Sequence, residues 1–189
     1  MDIVERKLKG VFEIRLCPIR DDRGFFMRVL DVNALNEHGL NKIWVQENHS
    51  CNTRKGIVRG LHFQFPPFTE TKLVRAISGE VMDVFVDLRE GSPTFGKWDW
   101  IILSDQSFNA IYIPRGFAHG FCTLTDHSEI IYKVDNYYSK DHESGIMWND
   151  PDISIEWRVS KQDVLLSERD RSHSSLKEFL KEHRGISQY

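Results

Sequence analysis

Met82-Asp83-Val84-Phe85-Val86-Asp87-Leu88 alternates along its length. Met82, Val84, Val86 and Leu88 fall on one side, Asp83 and Asp87 on the other. A period of two sends successive side chains to opposite faces of an extended chain, so the stretch predicts a strand with one buried face. The same period recurs to either side. Phe12, Ile14 and Leu16 alternate with Glu13 and Arg15, and Trp98, Trp100 and Ile102 with Lys97 and Asp99. Shorter β-rich runs lie at 72–77, 110–113, 120–124 and 129–138. Turn clusters separate them: Asp21-Asp22-Arg23-Gly24, Ser78-Gly79-Glu80, Glu90-Gly91-Ser92-Pro93 and Pro114-Arg115-Gly116. Many short strands at near-regular spacing, with no strand–helix–strand alternation, predict an all-β sandwich or barrel. Helix is minor: Asp31 caps a short one ending at Glu37, and the segment 172–184 carries Leu176, Phe179 and Leu180 at helical spacing. There is no repeat, low-complexity tract or linker, so 1–189 reads as one domain.

Composition bounds the function. A chain of 189 residues and 22.2 kDa holds a core without staples. Twenty-five Lys and Arg against 28 Asp and Glu leave a net charge of −3, which predicts no nucleic-acid partner. The longest uninterrupted apolar run, 100–103, is too short to span a bilayer, and the first ten residues lack a signal-peptide core, so neither a membrane nor export is expected. Cys17, Cys51 and Cys122 stand far apart with no paired spacing, which suggests reduced thiols and a cytoplasmic location. Twelve Phe, five Trp and five Tyr supply large flat surfaces for a β core or for stacking on rings.

The chemistry-bearing residues cluster in a few motifs. In Arg59-Gly60-Leu61-His62-Phe63-Gln64, alternation puts Gly60, His62 and Gln64 on one face, a polar face that is either solvated or lines a cavity. Imidazole titrates near neutrality and suits a base, although a structural histidine looks the same in sequence. Arg59 reaches the same pocket as His62 only if Gly60 forms a bulge. A cupin metal site begins His-x-His; here it reads His62-Phe63-Gln64, so no metal is expected although His119 follows later. Lys72 is an ordinary surface cation unless it sits in a cavity, where it stabilises an oxyanion. Tyr132 is a core tyrosine or, in a cavity, a proton donor. Asp170, in Leu166-Ser167-Glu168-Arg169-Asp170, is placed to orient an imidazole, and Asp83 is a second candidate for that task.

Together these segments resemble the dTDP-4-dehydrorhamnose 3,5-epimerase family over roughly 10–170. The resemblance rests on Asp22-Arg23-Gly24-Phe25-Phe26, Val45-Gln46-Glu47-Asn48, Ile57-Val58-Arg59-Gly60-Leu61-His62-Phe63-Gln64 and Lys72-Leu73-Val74-Arg75. It continues through Ser92-Pro93-Thr94-Phe95-Gly96-Lys97-Trp98, Ile113-Pro114-Arg115-Gly116-Phe117-Ala118-His119-Gly120-Phe121, Trp148-Asn149-Asp150-Pro151 and Leu166-Ser167-Glu168-Arg169-Asp170.

The resemblance implies a cupin-type jelly roll without metal or other cofactor, forming a homodimer with its amino-terminal strand exchanged. The implied substrate is a nucleotide-diphosphate 4-keto-6-deoxy sugar. By resemblance His62 is the catalytic base, Asp170 its partner, Lys72 the cation at the ketone oxygen and Tyr132 the acid. Arg23, Phe26, Arg28, Gln46, Asn48, Arg59, His119, Tyr138 and Arg169 are expected at the substrate. Two features depart from the pattern: Arg28 stands where the family usually has glutamate, leaving the nucleotide base open, and 48–56 reads as a loop about one residue longer than usual. Alternatives are inversion at carbon 3 or 5 alone on a dTDP-, CDP- or GDP-linked sugar, a non-catalytic sugar-binding cupin, or, last, a metal-dependent oxygenase.

Overall fold

The computed structural model describes residues 1–187. The first half forms strands β1 (Asp2–Glu5), β2 (Phe12–Arg15), β3 (Ile19–Asp21) and β4 (Gly24–Phe26), helix α1 (Val32–Glu37), then β5 (Gln46–Asn52), β6 (Val58–Gln64), β7 (Lys72–Ser78) and β8 (Glu80–Asp87). The second half adds β9 (Trp98–Ser104), β10 (Asn109–Ile113), β11 (Phe117–Thr123), β12 (Ser128–Val134) and β13 (Glu143–Gly145). Helices α2 (Glu168–Arg171) and α3 (Leu176–Glu182) follow. Two antiparallel sheets, β1-β2-β10-β7-β12-β5 and β13-β6-β11-β8-β9, form a jelly-roll sandwich of the cupin type, and β3 and β4 make a separate hairpin. No helix among the described residues is long and apolar enough to cross a membrane.

The core lies between the sheets. Val74, Ala76, Ile111, Ile113 and Ile130 meet Val81, Phe85, Phe117 and Phe121 there, with Tyr132 packed at the margin. The outer face of the second sheet is buried too: Leu61, Phe63, Met82, Val84 and Val86 lie under Ile146, Ile153, Leu176, Phe179 and Ile186. Strand β8 is therefore buried on both faces, which corrects the expectation of one. Asp83 and Asp87, on the side read as polar, are 0% exposed and face the space between the sheets. The carboxyl-terminal third covers the apolar face of β8, and the face that periodicity assigns to solvent turns toward the other sheet.

Local details also differ from the sequence reading. Helix α1 starts as expected at Asp31, whose carboxylate accepts from the backbone N–H of Asn33 and Ala34. The later helix is shorter than 172–184. It begins after Ser175, which forms a capping box with Glu178, because Ser172 ends the preceding helix α2 as its C-cap and Ser174 is bridged to Ile146. The strand expected through 138 ends at Val134, where Asp135 turns to accept from Thr71 N–H at 2.6 Å. Most of the presumed loop 48–56 is strand β5, paired along its length with β12. Its inward residues, Gln46, Asn48, Ser50 and Asn52, are all polar, so no hydrophobic period marks it. The amino-terminal strand β1, expected to be exchanged, pairs with β2 of its own chain.

Candidate active site

The site lies between the sheets, where the apolar core gives way to polar side chains. Antiparallel register puts His62 of β6 opposite His119 of β11 in one sheet, and Asn48 of β5 opposite Tyr132 of β12 in the other. Lys72 opens β7 on the inward face that Val74 and Ala76 continue into the core. The bulge expected at Gly60 is present: the β6–β11 register shifts between His119 and Phe121. Gly60 has φ +121°, and a Cβ there would sit 2.6 Å from Gly120 Cα. Two facing glycines let the strands close and turn Arg59 and His62 to their separate tasks.

His62 and Asp170 form a hydrogen-bonded pair, His62 Nε2 donating to Asp170 Oδ1 at 2.5 Å. Asp170 Oδ2 accepts from Ser167 Oγ at 2.7 Å, and Ser167 also caps α2. Burial opposes ionisation of Asp170, yet the polar groups of His173, His62 and Ser167 outweigh it and hold the carboxyl far below the usual carboxylate range. Burial is the largest influence on His62 and pushes its imidazole below the ordinary histidine value; Asp170 pulls it up, while Lys72 and Arg169 push it down. The net result is a neutral imidazole with Nε2–H turned to the carboxylate. Nδ1, which has no hydrogen-bond partner among the described residues, is left open as the basic atom.

Around this pair stand the other groups. Lys72 is 8% exposed and faces Glu70 Oε1 at 3.2 Å. His119 Nε2 donates to Asp83 Oδ2 at 2.8 Å, so Asp83 does orient an imidazole, but that of His119. Arg169 Nη1 donates to Glu143 Oε2 at 2.7 Å, and its Nη2 lies 3.4 Å from His62 Nε2. Tyr138 Oη donates to the same Glu143 oxygen, and Gln46 Oε1 accepts from the Tyr138 backbone N–H. Arg59 Nε donates to Asn52 Oδ1. Tyr132 is half-buried, and its hydroxyl has no partner among the described residues.

Three expected substrate contacts are not part of this group. Among the described residues Arg23 bonds only Asp21, Phe26 is 68% exposed, and Arg28 donates to Asp31 at 3.0 Å, supporting the cap of α1. All three lie on or just after the β3–β4 hairpin. Sequence reading missed Glu70, Glu143 and His173. Glu70 and Glu143 stand in none of the motifs, although Glu70 meets Lys72 and Gln64 and Glu143 meets Tyr138 and Arg169; Asp170-x-x-His173 has the spacing of one helical turn and was open to notice.

His62, Asp170 and His173 bring three donor atoms within 4.8 Å of one another. Two ligands of one tetrahedral zinc stand about 3.3 Å apart, given its usual bond lengths. The 2.5 Å between His62 and Asp170 is instead the spacing of atoms sharing a proton. Proton transfer is the chemistry these residues fit. Cys122 is no nucleophile, since burial pushes its thiol up to about 12.

Known proteins share this plan. A sequence profile described as dTDP-4-dehydrorhamnose 3,5-epimerase matches residues 5–178. The chain is 46% identical over 171 residues to the enzyme of that name from Shigella flexneri, covering 90% of this chain and 93% of the relative. It is 42% identical to that of Methanothermobacter thermautotrophicus, over 93% and 94% of the two chains. In structure it resembles the Legionella pneumophila dTDP-6-deoxy-D-glucose-3,5-epimerase, solved with dTDP-4-keto-L-rhamnose. The TM-score is 0.91 at 36% identity, over 100% of this chain and 98% of that one. With the fold, the paired His62 and Asp170 and these matches, the chain belongs to the dTDP-4-dehydrorhamnose 3,5-epimerase family of isomerases.

Proposed function

We propose that the chain inverts carbons 3 and 5 of a dTDP-linked 4-keto-6-deoxyhexose, a step in making dTDP-rhamnose. One observation carries the reading: His62 stands on one sheet, and Tyr132 and Lys72 stand on adjacent strands of the sheet that faces it. Inversion needs a proton taken from one side of a ring and returned to the other, which is what a base and an acid on opposite walls supply. In this mechanism His62 Nδ1 takes the proton next to the ketone, and Asp170 stabilises the imidazolium formed. The electron pair moves onto the ketone oxygen, where the Lys72 ammonium stabilises the enolate, and the Tyr132 hydroxyl returns a proton to the opposite face. Carbons 3 and 5 both flank carbon 4, so one ketone activates both.

Gln46, Asn48, Arg59, His119, Tyr138 and Arg169 serve the substrate from within the chain. Arg23, Phe26 and Arg28 serve it from the hairpin of a second protomer in a homodimer. The hairpin region leaves Ile19, Phe25 and Phe26 at 71%, 52% and 68% exposed, a patch of the kind that interfaces cover. The exposed free thiols of Cys17 and Cys51 fit a cytoplasmic enzyme.

Incubating the protein with dTDP-4-keto-6-deoxyglucose in deuterated water tests the reading. Deuterium is expected at carbons 3 and 5, with the inverted sugar as product. Exchange at one carbon only overturns double inversion, and no exchange overturns the activity.

A further inference from the structure

His173 lies against the site but has no part in the mechanism above. It follows α2 in an extended stretch anchored to the far end of β13: Ser174 is bridged to Ile146, and Ser174 O accepts from Met147 N–H at 2.9 Å. Its side chain is 10% exposed, and its Nε2 stands 3.6 Å from Asp170 Oδ1, the oxygen that receives His62. That Nε2 is buried with no hydrogen-bond partner of its own. The ring meets His62 edge-on, centroids 5.4 Å apart at 73°. Space for it exists because residue 145 is glycine: a Cβ there would lie 2.6 Å from both Cε1 and Nε2 of His173. A buried nitrogen without a partner beside a buried carboxylate is an expensive arrangement unless its proton points at that carboxylate.

We propose that His173 is a positioning residue for the reaction, a second imidazole on Asp170 whose Nε2–H shares the carboxylate with His62 and so lowers the proton affinity of the base. The inference rests on the proposed role of His62. A carboxylate divided between two donors stabilises an imidazolium at either of them less than one serving a single donor. The other charged and titratable groups around the pair are Glu168, Arg169 and Arg171 on α2, Glu143 on β13 held by Arg169, His119 on β11 opposite His62 and bonded to Asp83 of β8, and Lys72 from the facing sheet with Glu70 beside it. Arg169 and Lys72 oppose protonation of His62, as His173 does by occupying Asp170. The purpose is a base that stays unprotonated in mildly acidic conditions.

Two variants separate a donor from a filler. His173→Phe keeps a ring over Gly145 and removes the donor, whereas His173→Gln restores an N–H at similar reach. With deuterium exchange followed against pH, the acidic limb of His173→Phe is expected to rise by about 0.5–1 pH unit with little change in the plateau, and that of His173→Gln to stay near the parent. An unmoved limb in His173→Phe, a limb that moves down, or equal shifts in both variants overturns the proposal. Nitrogen-15 spectra of the histidines in the unaltered protein check it without substitution: His173 is expected to carry its proton on Nε2, and a proton on Nδ1 alone overturns it. Should the parent protein exchange nothing, the catalytic reading fails. The His62 titration in parent and His173→Phe still decides the coupling.

Discussion

His62 Nε2 donates to Asp170 Oδ1 at 2.5 Å across a sequence separation of 108 residues. The pairing is built by β6, which carries the imidazole, and by the one-turn helix α2, capped by Ser167 so that its carboxylate points back at the strand. The Gly60 backbone N–H, 3.4 Å from the same oxygen, adds to the hold.

Removing either member is expected to stop proton exchange. His62→Ala should abolish wash-out at both carbons, a loss of about 10²–10⁴-fold. Asp170→Asn keeps the shape but removes the charge that orients and stabilises the imidazole, and should lose about 10²-fold or more. Single-turnover exchange measured by proton NMR checks both; a His62→Ala protein that still exchanges either proton shows that another group is the base.

Tyr132→Phe separates abstraction from return. Its hydroxyl has no structural partner among the described residues, so the variant should fold normally and still wash out hydrogen through His62, while formation of inverted sugar falls by about 10²-fold or more. Lys72→Met should lower both together by about 10²–10³-fold, since it acts on the shared enolate. Comparing deuterium incorporation with product formation distinguishes them, and an undiminished inversion rate in Tyr132→Phe assigns the acid elsewhere.

Acid is expected to destabilise the fold in two stages. The folded protein holds His62 below its ordinary value, so as pH falls the unfolded chain takes that proton first and stability begins to drop below about pH 6.5. Asp170, held far below the usual carboxylate range, contributes stability that is full above its unfolded value and is lost as pH falls further. Thermal melts across pH should show both slopes. His62→Gln should flatten the first and Asp170→Asn much of the second.

The hairpin is expected to complete a neighbour's site. Arg23→Ala and His62→Ala homodimers should each lose activity by more than tenfold. Mixing them under conditions that exchange subunits should restore up to one native site per mixed dimer. Recovery measured after mixing, with light scattering for the oligomeric state, checks this; no recovery despite proven subunit exchange shows that Arg23 acts within its own chain.

Gly60→Ala should cost about 2 kcal/mol or more, since φ +121° disfavours any side chain and Gly120 Cα stands 2.6 Å from the added carbon. Chemical denaturation reads the loss directly.

Much of this was written in the chain itself. The period of two in Met82–Leu88 and its neighbours determined a β sandwich, because alternating side chains can bury a sheet face in only one register. The Arg59–Gln64 motif put His62 and Gln64 on one polar face, solvated or lining a cavity, and made a bulge at Gly60 the condition for Arg59 to join them; packing decided both. Strand β5 escaped, because its inward residues are polar and a hydrophobic pattern cannot mark a site wall. The burial of Asp83 and Asp87 escaped as well, since the sheet that faces them is assembled from strands distant in the sequence. The resemblance implied Asp170 as the partner of His62, but the residues alone left Asp170 and Asp83 both open; tertiary structure gives Asp170 to His62 and Asp83 to His119, because register and the capped turn of α2 bring them within hydrogen-bond distance. It also seated His173 over Gly145, against the shared oxygen of Asp170. Sequence determines which groups are available and which face each strand buries; pairing between distant groups depends on distances that only packing sets.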